Sequence, residues 1–209
     1  MGSTVFGTSA AFATVAYRKH PAPYGDSELL SYYSNVTPLQ VIVDPVTGAR
    51  PGPGGQGLVT GRMPNAAQTT GVLVGKMGIT TGWTEGSIIG SINWYGTTAM
   101  VTNYWSSGGD SGGPVWRYDG AGLRAVGMHV GSVLDQNKKR IGAAYIPINT
   151  LLDQWGATLP VFAKTLTFAS EDAPSDSIDS GGGTLDDATA LSPDVVDVCP
   201  GNDCVLVNE

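Results

Sequence analysis

A chain of 209 residues can bury one good core or two small barrels that share an interface. Its net charge of −7 hides an asymmetry: ten of the 18 acidic residues lie from Glu171 onward, where there is no Lys or Arg, so residues 1–170 carry +3 and neither part has the basic patch of a nucleic-acid binder. No apolar run is long enough to cross a bilayer, and the body of the chain contains no cysteine, so its fold does not depend on disulfides.

The N-terminal "MGSTVFGTSAAFATVAYRK" lacks a basic leading segment, and Thr and Ser break its small apolar run, which is unlike a secretory signal. From about residue 39 to 147 the pattern predicts strand, turn, strand. "LQVIV" precedes the turn-rich "DPVTGARPGPGGQG". "GVLVGK" leads to "MGITTGWTEG", and "SIIGSINW", "TAMVTN", "GPVWRY", "RAVGMHVGSV" and "GAAYIPI" follow. Each segment is short, rich in Val, Ile, Tyr or Thr, and bounded by Gly, Asp or Asn. The spacing predicts an all-β barrel or sandwich. "INTLLDQWG" predicts one helix, with Asn149 as its cap, Leu151, Leu152 and Trp155 on its apolar face and Gly156 as its stop. "TLPVFAKTLTF" fits either a last edge strand or a linker.

Residues 1–165 are thus read as one folded domain and residues 166–209 as an acidic extension. Its Ser, Asp, Gly and Pro cannot bury enough surface to offset ordering entropy, so it is expected to be disordered. Within it, Cys199 and Cys204 are close enough for a small disulfide loop across Pro200-Gly201-Asn202-Asp203; two unpaired thiols are the alternative. There is no second Cys or His pair to make a metal site, and no cofactor motif.

The stretch "SSGGDSGGPVW", residues 106–116, carries the chemistry. "GDSGGP" would arise by chance on the order of once in ten million positions. Ser111 is placed to be a nucleophile. The N–H groups of Gly109 and Ser111 can form an oxyanion hole, and Asp110 can anchor the loop through an ion pair or hydrogen bonds.

This loop resembles that of the trypsin-like, chymotrypsin-fold serine peptidases, above all the small bacterial streptogrisin and α-lytic branch. "VGKMGITTGWTEGSI" (74–88) is similar to the hairpin that opens the second barrel in that branch. "RAVGMHVGSV" (124–133) is similar to the strand beside the specificity pocket, and "AAYIPINTLLDQWGATL" (143–159) to the final strand and helix. The resemblance spans roughly residues 22–160. It implies a chymotrypsin-like double β-barrel with a C-terminal helix, and endopeptidase chemistry on protein or peptide substrates by an exported, monomeric enzyme without a cofactor.

By the same resemblance, the triad aspartate is Asp26, in "YGDSELLSYYSNVTP", 85 residues before Ser111; Asp44 is the runner-up, in a segment that reads as a turn. The family's base lies in a "TAxH" type motif some tens of residues before its aspartate. His20 is only six residues from Asp26, and His129 follows the nucleophile, so neither fits. The expectation is a chain lacking the N-terminal part of its first barrel and its base, with little activity alone. The alternatives are an inactive peptide-binding module or an extracellular structural protein on the same fold. The implied pocket walls run from Trp105 and Ser106 to Gly108, over His129, Val130, Gly131 and Ser132, and from Ile141 across Gly142 to Ala143. They hold no acid; His129 beside hydroxyls such as Ser132 allows recognition of a glutamate side chain, and the alternative is a His129 that only packs against neighbouring strands, with a neutral apolar or aromatic preference.

Overall fold

The computed structural model describes residues 4–6, 11–19, 27–37, 39–161, 198–199 and 204–208. Strands β1 (Thr4–Phe6), β2 (Ala11–Lys19) and β3 (Ser27–Tyr32) form a three-stranded antiparallel sheet in chain order. Sequence reading missed β1 and β2, whose small residues give little apolar alternation.

The remaining strands are β4 (Val59–Arg62), β5 (Leu73–Gly78), β6 (Gly82–Trp94), β7 (Thr97–Thr102), β8 (Pro114–Tyr118), β9 (Leu123–Leu134), β10 (Arg140–Pro147) and β11 (Val205–Asn208). The order β10-β7-β6-β5-β8-β9 closes on itself because β9 also pairs with β10, giving a six-stranded antiparallel barrel. The turns fit this closure. Tyr95 and Gly96 both take positive φ between β6 and β7, as the two-residue hairpin turn requires, and Asn93 Oδ1 accepts the Gly96 N–H at 2.8 Å. The shift of register at Ala144/Tyr145 bends β10 against β9.

Side chains alternate between two cores. Val74, Ile88, Met100, Val115, Val126 and Tyr145 form a cluster drawn from all six barrel strands, which is the barrel interior. Ile92, Val101, Val130, Val133 and Ile146 make a second cluster on the opposite face, under Leu151 of helix α1 (Ile148–Trp155). Gly156 ends α1 in the left-handed region, with its N–H and that of Ala157 bonded to the last turn. Asn149 is not the cap. It lies inside the helix, which starts after Pro147, and its buried amide donates to Met63 O and Asn65 Oδ1. Trp155 Nε1 donates to Ser27 Oγ at 3.1 Å, tying α1 to β3.

Two expectations change. "LQVIV" makes only the bridge Val41↔Leu58. The segment has little length in which to pair before the turn at Asp44, and only Ile42 of its apolar residues is buried. The end of the acidic extension is ordered structure. Cys199 and Cys204 form a disulfide, and Val205–Asn208 is a strand on β9, because the apolar Val-Leu-Val run finds an open edge there. Residues 162–197 lie outside the described residues. "TLPVF" is not a strand as far as Val161.

Candidate active site

The loop between β7 and β8 carries Ser111 on the surface, with Asp110 directly before it fully buried. Burial alone would push the Asp110 carboxyl up. The Lys76 ammonium, the Thr81 hydroxyl and the N–H groups of Thr81 and Thr80 outweigh it and hold the carboxyl well below the usual range. Lys76 Nζ is 2.7 Å from Asp110 Oδ2, and neither side chain is exposed. Thr80 N and Thr81 N donate to Oδ1, and Ser107 N and Thr81 Oγ1 to Oδ2. Five donors on one buried carboxylate fix the backbone on either side of it. The pair therefore anchors the loop more than it adds net stability.

The glycines on either side meet steric limits. Gly109 has φ of 97°, and a Cβ there would lie 2.6 Å from Thr80 Oγ1. That hydroxyl donates to Gly108 O at 2.6 Å. It fixes the plane of the 108–109 peptide and turns the Gly109 N–H away from Thr80. At Gly113 a Cβ would lie 2.3 Å from Met77 O. Neither the Gly109 nor the Ser111 N–H donates to a backbone carbonyl among the described residues. The Ser111 hydroxyl donates to Val130 O at 3.1 Å. Beside it, a shallow cleft is lined by Val43, Pro45, Ile79, Gly109 and Pro114.

Barrel closure brings three distant segments together behind this loop. His129 is buried, with Nδ1 3.1 Å from the Tyr104 hydroxyl and the two rings edge-to-face. It lies on the face of β9 opposite Met128 and Val130, which pack in the outer cluster. Arg140 Nε donates to Ser132 Oγ at 2.9 Å, and its terminal nitrogen donates to Ser106 Oγ at 2.8 Å and Tyr104 O at 3.3 Å. Its guanidinium stands 4.9 Å over the exposed Trp105 ring. The Arg140 guanidinium, held between the two serine oxygens and the Trp105 ring, makes the cluster suited to an anion.

No family model and no curated protein matches the chain. Solved structures do. A chymotrypsin from Cellulomonas bogoriensis aligns with a TM-score of 0.51 and 22% identity, covering 75% of this chain and 82% of that one. Protease A from Thermobifida fusca aligns with a TM-score of 0.50 and 28% identity, covering 71% and 74%. The chain has the chymotrypsin fold.

Within this peptidase fold, the structure gathers Trp105, Ser106, His129 and Ser132 around Tyr104 and Arg140. Val130 and Gly131 lie on the stretch of β9 facing Ser111. Gly142 has a packing reason of its own: a Cβ there would lie 2.6 Å from Val101 Cγ1 on β7. Asp44 closes its own turn, accepting the N–H groups of Val46 and Thr47, and these bonds hold its carboxyl below the usual range. Asp26 and His20 lie outside the described residues. Sequence reasoning missed Lys76 and Arg140. Lys76 could have been flagged as a charge amid the apolar positions of β5, and Arg140 as the residue just before the third pocket wall.

Proposed function

We propose that Ser111 is the nucleophile of a serine-type peptide hydrolase that works through an acyl-enzyme. The observation that carries this reading is the exposed Ser111 in a loop locked by the buried Lys76–Asp110 pair. Ser111 Oγ attacks the scissile carbonyl. The Gly109 and Ser111 N–H groups hold the oxyanion, and an imidazole takes the serine proton and returns it to the leaving amine. Asp26 orients that imidazole in this reading. His129 is committed to Tyr104, and the Ser111 hydroxyl is given to a carbonyl rather than to a base. The 209-residue chain alone is therefore a weak catalyst, since lack of the base costs several orders of magnitude. Substrates are proteins or peptides. An exported location and a monomeric state follow from the resemblance.

The test is labelling by a serine-directed fluorophosphonate, with and without added imidazole. The expected result is slow labelling of the chain alone, acceleration by imidazole, and none in Ser111→Ala. Fast labelling without imidazole would place a working base in the chain and overturn the weak-catalyst part. No labelling of Ser111 under either condition would overturn the hydrolase reading in favour of a peptide-binding module, which the Ser111–Val130 hydrogen bond also fits.

A further inference from the structure

We propose that the chain's own Val205–Asn208, paired along the edge of β9 from Gly131 to Leu134, is a plug in front of Ser111. β9 is twelve residues long, but β8 pairs with it only as far as Met128, opposite Pro114. Gly112 and Gly113 still exchange backbone hydrogen bonds with His129, and beyond it the chain on this side turns away through the Ser111 loop. The other side of β9 stays covered by β10 as far as Leu134. The edge that β8 leaves is the one that β11 fills, antiparallel, in the register Val205↔Leu134, Leu206↔Val133, Val207↔Ser132 and Asn208↔Gly131.

The direction of β11 matters. It runs from Leu134 toward Gly131, and the next β9 residue, Val130, accepts the Ser111 hydroxyl. Any extended peptide continuing this register delivers its backbone to the serine. Two such strands cannot share one edge, so peptide added from solution competes with β11 for the same N–H and C=O groups.

Three attachments just before β11 hold it locally. The Cys199–Cys204 disulfide closes a tight loop, with its Cα atoms 5.6 Å apart. Cys199 is buried in the outer cluster with Val130 and Val133. The Val198 N–H donates to Ser91 O at 2.9 Å. A strand tethered this way faces its edge at an effective concentration in the millimolar range, which excludes weak competitors. The strand-accepting edge stands on the pairing alone. That its occupation blocks catalysis rests on the reading of Ser111 given above.

The test compares the full chain with the double variant Leu206→Pro, Val207→Pro. One of two consecutive strand N–H groups faces β9, so the pair of prolines removes it whichever it is. Hydrogen exchange is measured at the amides of 131–134, and fluorescence anisotropy follows a labelled synthetic peptide of sequence VLVNE. In the variant, the β9 amides that face β11 are expected to exchange at least about tenfold faster while those facing β10 do not change, and the peptide to bind at least about tenfold tighter than to the wild type. Should the prolines disturb the barrel, dithiothreitol serves instead. The chain has only two cysteines, so reduction acts only at the tether and should move the same amides in the same direction. Equal exchange of all four amides in every form, or equal peptide binding, would overturn the plug. Imidazole-assisted fluorophosphonate labelling separates the two readings. If the amides and the peptide respond but Ser111 never reacts, the plug stands and the hydrolase reading fails.

Discussion

Taking a lysine and an aspartate together out of water is costly unless every charge is hydrogen-bonded, and at Asp110 it is. The carboxylate accepts from Lys76, from the Thr81 hydroxyl and from three backbone N–H groups. Lys76→Met leaves that carboxylate buried without its cation and should destabilise the barrel by about 3–5 kcal/mol in urea unfolding. The pH dependence follows from the same contacts. The Asp110 carboxyl is held lower in the fold than in the unfolded chain, so its contribution is present above the unfolded value and is lost as pH falls below about 4. With Lys76 gone, burial pushes the group up, and the acid limb of the stability curve should flatten. An equal acid slope in wild type and variant would show that Lys76 does not set this titration. The sequence singled out Asp110 as an anchor but not its partner, because a lysine 34 residues earlier becomes adjacent only when β5 and the serine loop are folded together.

At the scale of elements, β5 to β10 and α1 were legible because each is a short β-branched or amphipathic run bounded by turn residues. "LQVIV" has the same composition but no long partner, so its pattern was misleading. β11 was hidden by its surroundings: four strand residues at the end of an acidic stretch look like part of the stretch until an open sheet edge is supplied. Gly75 shows a constraint that only pairing reveals. It lies opposite Trp116 across β5 and β8, and a Cβ there would lie 2.4 Å from the indole. Trp116 is buried with Met77 and Leu123 and meets Trp83 edge-on, with ring centroids 5.3 Å apart, so it has little room to move. Gly75→Ala should therefore cost about 1–3 kcal/mol, although alanine is a milder residue than glycine for a strand. Combining it with Trp116→Leu should return part of the loss. Strictly additive costs in the double variant would rule out this contact as the cause.

On the scale of the whole molecule, closing the barrel sets Arg140 of β10 against Ser132 of β9 and Ser106 before the serine loop, residues that share no local pattern. A site assembled this way was only half legible. The resemblance pointed to the walls and to His129, while the cation at their junction depends on which way the start of β10 faces. Arg140 is only partly buried and its charge is already directed at two hydroxyl oxygens. A substrate carboxylate reaching this cluster would meet the Arg140 guanidinium. An apolar side chain gains nothing from the guanidinium, whereas a lysine meets a like charge. Among peptidyl diphenyl phosphonates that differ only in bearing Glu, Leu, Phe or Lys at the reacting position, the Glu compound should label Ser111 fastest in the presence of imidazole. Loss of a charge-assisted contact of this kind is worth about 1.5–3 kcal/mol, so Arg140→Met should slow the Glu compound roughly ten- to hundredfold relative to the Leu compound. Trp105 separates charge from packing. It stacks on Arg140 from the exposed side, and Trp105→Ala should loosen the guanidinium and weaken the Glu preference without reversing it. If Leu or Phe leads in the wild type, or if the Glu lead survives Arg140→Met, the pocket is not a carboxylate site and the arginine serves only to hold the barrel's mouth together.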